Sequence, residues 1–154
     1  TVWATLEPLT DPEIPVVTLR ELGILREVRE TAAGIEVVIT PTYSGCPATE
    51  VIERSVIDAL EAAGLGPVHA RTVMSPAWTS DWISEEGRRK LREYGIAPPG
   101  AVQDATAIRI VRRVPCPLCQ SPRTERLSAF GATACKSLYR CLDCREPFEH
   151  FKPI

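Results

Sequence analysis

The chain has 154 residues, 44% of them apolar and 25% charged, with a formal net charge of −2. That is ordinary globular composition, which excludes a disordered chain, and no apolar run approaches the roughly 20 residues of a membrane-spanning helix. The amino terminus lacks the charged and apolar regions of a secretory signal, so a cytoplasmic protein that does not enter the membrane is expected. The one methionine is Met74, so an initiator residue is expected upstream of Thr1, with or without a short leader.

Val2, Trp3, Leu6 and Leu9 share one side of a short helix over 2–9. Asp11-Pro12-Glu13-Ile14-Pro15 ends it, because two prolines force extended or turn geometry. A helical turn near 18–22 precedes strands over 24–29 and 35–40, the second rich in β-branched residues, and Gly34 closes the turn that makes them a hairpin. Ile52, Val56, Leu60 and Ala63 then recur at helical spacing, with Glu53, Arg54, Asp58 and Glu61 toward water and Gly64 in the C′ position. A strand over 68–74 follows, and Ile83, Leu91 and Tyr94 mark a further helix closed by Gly95.

A strand–helix–strand passage after a hairpin predicts an α+β body, a small mixed sheet packed by helices. Pro98-Pro99-Gly100 is the clearest boundary signal, so the body spans 1–100 and a separate small all-β unit spans 101–154. Charge divides with it. Residues 1–111 carry ten Lys/Arg against sixteen Asp/Glu, whereas 112–154 carry eight against four.

Five of the six cysteines fall in the last 39 residues, a clustering that favours a metal over disulfides in a reducing compartment. Cys116-Pro-Leu-Cys119 and Cys141-Leu-Asp-Cys144 are two C-x2-C pairs, each able to turn both sulfurs toward one tetrahedral ion. These four are the candidate ligands of a structural zinc, in a ribbon of short strands over 108–114, 124–130, 137–140 and 147–151. Four thiolates leave no open position for water, so the site is structural. So small a unit buries too little apolar surface to fold unaided. Cys135 is left over, as an alternative ligand, a buried small residue or a partner for another cysteine; His69 and His150 are not needed as ligands.

Cys46 stands alone in the first two-thirds of the chain, in Thr40-Pro41-Thr42-Tyr43-Ser44-Gly45-Cys46-Pro47. Pro47 suits a first helical turn, which puts Cys46 at or next to the N-cap, where unpaired amides and the helix dipole stabilise a thiolate. The plain alternative is a mediocre cap or a buried thiol. Asp11 has a similar double reading, since Asp before Pro is a good N-cap with Glu13 in a favourable first turn. Trp78 and Trp82 suit a core or a docking surface. No catalytic triad, phosphate loop or paired-histidine metal motif occurs, so an enzyme is not expected.

Asp11-Pro12-Glu13-Ile14-Pro15, Leu22-Gly23-Ile24-Leu25 and the Cys46 loop resemble the signatures of the SufT-like iron-sulfur assembly domain. Trp78-Thr79-Ser80-Asp81-Trp82, Gly95-Ile96-Ala97-Pro98-Pro99, Phe130-Gly131-Ala132-Thr133-Ala134-Cys135-Lys136 and Cys144-Arg145-Glu146-Pro147-Phe148 resemble the PaaD family of the phenylacetate-degradation cluster. The resemblance implies an accessory role in maturing iron-sulfur or iron centres of the multicomponent phenylacetyl-CoA epoxidase, whose iron-sulfur or di-iron proteins would be the clients. It implies further that Cys46 is a reactive cysteine holding iron or a cluster transiently, and that Asp11 and Glu13 form a functional acidic motif. Leu25 stands where many relatives have valine, a mild change. One protein thiol cannot complete a four-thiolate set, so a homodimer or a small thiol would have to contribute. Three other readings compete. A scaffold component of the same complex would survive loss of Cys46; a nucleic-acid-binding ribbon using Arg112, Arg113, Arg123, Arg126, Arg140 and Arg145 runs against the acidic balance; a Cys46–Cys135 redox pair lacks a C-x-x-C at the helix start.

Overall fold

The computed structural model describes residues 1–102 and 113–154, which form two compact units, Thr1–Trp78 and Thr79–Ile154. The architecture is mixed α+β with two small sheets.

In the first unit α1 spans Val2–Leu6 and stops short of the expected residue 9, because Pro8 has no N–H to continue the ladder. Strands β1 (Leu25–Thr31) and β2 (Gly34–Ile39) pair antiparallel as the expected hairpin. After the crossover helix α2 (Thr49–Ala62), β3 (Val68–Thr72) adds parallel to β2. Strand order is β1-β2-β3, so β2 is central, and its Val37, Val38 and Ile39 are all buried, as a strand covered on both faces requires. Gly34 is obligatory at the hairpin turn. Its φ is +125°, and a Cβ there would meet the Pro67 carbonyl oxygen at 2.1 Å.

Helix α2 buries Ile52, Val56 and Leu60, the stripe that the spacing predicted. Ala63 is instead exposed as the C-cap, because the helix ends in a Schellman motif: Leu65 N–H donates to Leu60 O at 2.9 Å and Gly64 N–H to Glu61 O at 2.9 Å, with Gly64 at φ 76°. Leu6, Val17, Leu19, Leu22 and Ile24 complete this core, each fully buried aliphatic contributing about 1.5–3 kcal/mol. Trp78 also belongs to it, 4% exposed with its indole N–H donating to Leu22 O at 2.9 Å. Of the two readings of the tryptophans, the core one holds for Trp78, and the docking pair with Trp82 is corrected, since the Trp78 ring is spent on the core.

The second unit begins with a 3₁₀ turn, Ser80–Trp82, and α3 (Glu85–Glu93), whose N-cap Ser84 accepts from Gly87 N–H at 3.0 Å. Strands β4 (Ile96–Ala97), β5 (Thr124–Ser128), β6 (Lys136–Cys141) and β7 (Pro147–Phe151) form a sheet of order β4-β7-β6-β5. The last three match expected ribbon strands, while the strand expected from residue 108 falls mainly outside the described residues. Strand β4 was not expected. It pairs parallel with β7, which is why the compact units part at Trp78, ahead of the Pro98-Pro99-Gly100 boundary. Among the described residues no helix is long and apolar enough to cross a membrane.

Candidate functional site

Two C-x2-C knuckles build the first candidate site, and they repeat one design. Cys116 N–H donates to Ser121 O at 2.9 Å, and Cys141 N–H donates to Glu146 O at 3.0 Å. The residue after each second cysteine, Gln120 (φ 64°) and Arg145 (φ 69°), turns through the left-handed region, which reverses the chain around the sulfurs. Asp143 ties the knuckles together, accepting from the Ser121 hydroxyl and pairing with Arg123 at 2.5 Å.

The four sulfurs of Cys116, Cys119, Cys141 and Cys144 lie within 4.8 Å of one another. Cys116 Sγ to Cys144 Sγ is 3.8 Å and Cys119 Sγ to Cys141 Sγ is 3.6 Å. A tetrahedral ion with Zn–S bonds of about 2.3 Å would set its sulfurs about 3.8 Å apart, so this donor set fits zinc in spacing and chemistry. The Glu146 amide lowers the Cys144 pKa, yet burial and the Cys141, Cys116 and Cys119 thiols push it up to about 12. Burial raises Cys141, but hydrogen bonds from the Cys144 and Asp143 amides, with the neighbouring thiols, bring it down to about 7. A dipositive ion would remove that conflict by stabilising all four thiolates together. Around it Cys116 and Cys141 are fully buried with Ala97 and Phe148, while Val114 and Tyr139 pack against them.

Cys135 is not in this group. It is buried, with Sγ 3.0 Å from the Thr133 hydroxyl, which is the small-structural-residue reading. Neither histidine belongs to the cluster.

The second candidate is the loop before α2. Cys46 is half-buried on the wall of a cavity of about 620 Å³, together with Pro41, Glu50, Glu53, Thr72 and Met74. The expected helix-end position needs correction. Thr49 N–H donates to Cys46 O at 3.1 Å in a turn that precedes the helix, and the α ladder opens only with Ile52 N–H to Ala48 O at 2.9 Å. Ala48 is the N-cap, so Cys46 and Pro47 both lie outside α2. Gly45, at φ 77°, sets the approach. What the fold gives Cys46 is access through an open cavity with two carboxylates beside it. The Thr72 hydroxyl donates to Glu53.

Asp11 is buried, and its Oδ1 accepts from Glu13 N–H at 2.8 Å and Ile14 N–H at 2.9 Å. It caps a turn, while Glu13 is exposed. Neither is among the described residues lining the Cys46 cavity. Glu50, Glu53 and Thr72 were not singled out from sequence, and no local motif marks them. They meet only because α2 and β3 lie against the loop.

Residues 1–70 match the family model described as an iron-sulfur cluster assembly protein, and residues 102–152 match the PaaD zinc beta ribbon domain. The chain is 46% identical over 153 residues to an Escherichia coli (strain K12) protein named as the D component of a putative 1,2-phenylacetyl-CoA epoxidase, covering 99% of this chain and 92% of that one. A Bacillus anthracis domain of unknown function, DUF59, shares the fold at TM-score 0.53 and 25% identity, over 58% of this chain and 87% of that one. A Mycobacterium tuberculosis protein associated with Fe-S complex assembly and repair is 31% identical, over 61% of this chain and 82% of that one, at TM-score 0.36.

Proposed function

Because the chain belongs to the PaaD family, whose Escherichia coli member is named as part of a putative 1,2-phenylacetyl-CoA epoxidase, we propose that it is a cytoplasmic accessory factor maturing iron-sulfur or iron centres of such an epoxidase system, without catalysing epoxidation itself. Residues 1–100 supply the assembly function and 101–154 a zinc ribbon, a division that the limits of the two family models, 1–70 and 102–152, support.

The observation that carries this reading is the half-buried Cys46 thiol on the wall of an open cavity shared with Glu50 and Glu53. A thiolate and carboxylates are good ligands for iron. Cys46 supplies one thiolate to the cargo, and a second copy or a small thiol supplies the rest. Delivery is ligand exchange: a client thiolate bonds to the iron as the Cys46 sulfur leaves, with no net redox change. Asp11 contributes by holding the turn of the acidic motif, and Glu13 by its exposed charge on that turn. In the ribbon, Cys116, Cys119, Cys141 and Cys144 hold zinc, whose chemistry there is structural.

The test is anaerobic reconstitution with iron and sulfide, followed by transfer to a client. Wild type should gain labile iron beyond its zinc and raise client cluster content; Cys46→Ser should keep zinc and lose both gains. Equal iron loading and equal client maturation by the variant would overturn the reading and favour a scaffold role. That second reading draws on Leu118, Leu127 and Phe130, which are 57%, 49% and 65% exposed on the ribbon. A nucleic-acid role is weaker, since Arg123 and Arg140 are paired with Asp143 and Glu125.

A further inference from the structure

Alternation along the ribbon strands places a second set of chemistry-bearing residues on one sheet face, beside the thiol cluster that Tyr139 packs against and apart from Cys46. Arg126 of β5 stands opposite Tyr139 of β6, and Ser137 of β6 stands opposite His150 of β7. Residues two apart share a face, so Lys152 follows His150 onto it. That face floors a cavity of about 710 Å³, within the range of small-molecule sites, about 300–1,000 Å³.

Its walls have a clear chemical bias. Pro98, Pro99, Pro115 and Pro153 are apolar and rigid, and the Tyr139 and His150 rings meet edge to face with centroids 5.4 Å apart. Arg113, Arg126 and Lys152 add three cations, whereas none of the described lining residues is acidic. Lys152 is already engaged, donating to Ala134 O at 2.9 Å and lying 4.2 Å from the Phe130 ring centroid. The two arginines are the groups with forked donors to offer. Burial lowers the His150 pKa to about 4, so its ring is neutral near pH 7 and acts as part of the aromatic wall.

We propose that this cavity binds a small organic anion with an aromatic or apolar body, its carboxylate or other anionic group held by Arg113 and Arg126 and its body against Tyr139 and the prolines. The forked guanidinium donors match a carboxylate with charge-assisted hydrogen bonds, and a flat ring matches the Tyr139 surface.

The experiment titrates the metal-loaded full chain with naphthalene-2-carboxylate, its neutral counterpart naphthalene-2-methanol, and inorganic phosphate, read by calorimetry and amide NMR shifts. The carboxylate should saturate and shift the amides of Tyr139, His150 and Lys152, and should bind about tenfold or more tighter than the alcohol, as expected for a charge-assisted hydrogen bond. Arg126→Gln and Arg113→Gln, on exposed positions, should each weaken the carboxylate about tenfold while leaving zinc content and alcohol affinity unchanged. Absence of saturable shifts at those amides, equal affinity for acid and alcohol, or full affinity in both arginine variants would overturn the proposal. Phosphate binding as tightly as the carboxylate would overturn the aromatic part of it.

Discussion

Metal removal from the ribbon is the sharpest test of how this chain is held together. The perturbation is Cys116→Ser, or a strong chelator on the wild type. Structural zinc contributes an apparent ~10–16 kcal/mol, as much as or more than the ~5–15 kcal/mol net stability of a whole domain. Beside the ion the packed cluster is small: Ala97, Cys116, Cys141 and Phe148. With the metal gone, that end of the sheet keeps two fully buried thiols and one aromatic ring, while the other buried ring of β7, Phe151, lies at the opposite end of the strand. The first unit has an independent core that includes Leu6, Val37, Ile39, Val56 and Leu60. The assay is metal stoichiometry with hydrogen exchange by mass spectrometry. One ion per chain should be found; on its loss the amides of β6 (Lys136–Cys141) and β7 (Pro147–Phe151) should lose protection, while those of β2 (Gly34–Ile39) and α2 (Thr49–Ala62) keep it. Protection of β6 and β7 that changes by less than about threefold after verified metal loss would refute the coupling of ion and fold.

Three further outcomes are expected. Asp11→Ala should cost about 0.5–2 kcal/mol in denaturant unfolding, because the Glu13 and Ile14 amides lose their acceptor, and Asp11→Asn should restore most of it; if Asn restores stability but not client maturation, the carboxylate has a role beyond the cap. Gly34→Ala should lower the thermal midpoint clearly, since its Cβ would collide with the Pro67 carbonyl and φ +125° is costly for alanine; an unchanged midpoint would contradict the turn geometry. His150, with a folded pKa of about 4 against 6.5 when exposed, binds fewer protons folded than unfolded between those values. Its contribution is therefore intact above pH 6.5 and is lost as pH falls toward 4, so unfolding followed from pH 7.5 to 5.5 should show a decline that His150→Asn flattens; parallel profiles would argue against the buried neutral ring.

The order of elements in the first unit could be read from local chemistry. Apolar spacing at Ile52, Val56 and Leu60, the glycine at 64, and β-branched residues in the hairpin are each short-range signals, and they agree with one another. The zinc knuckles were equally legible, because two residues between thiols is itself a geometric instruction. What stayed open or was missed depended on a neighbour far along the chain. Ile96–Ala97 became a strand only because β7 offered it an edge, and of the two readings of Trp78 the core one holds because the Leu22 carbonyl accepts its indole N–H.

The sequence by itself determined the mixed α+β body, the tetrathiolate ribbon and the prominence of a lone thiol at Cys46, because each depends on residue type and spacing within a few turns of chain. Only the tertiary structure decided that Cys46 lies ahead of the helix on a cavity wall with Glu50 and Glu53, and that Arg126, Tyr139 and His150 share one face. Those groupings join residues from separate elements, and strand register and packing, which set them, are properties of the assembled chain.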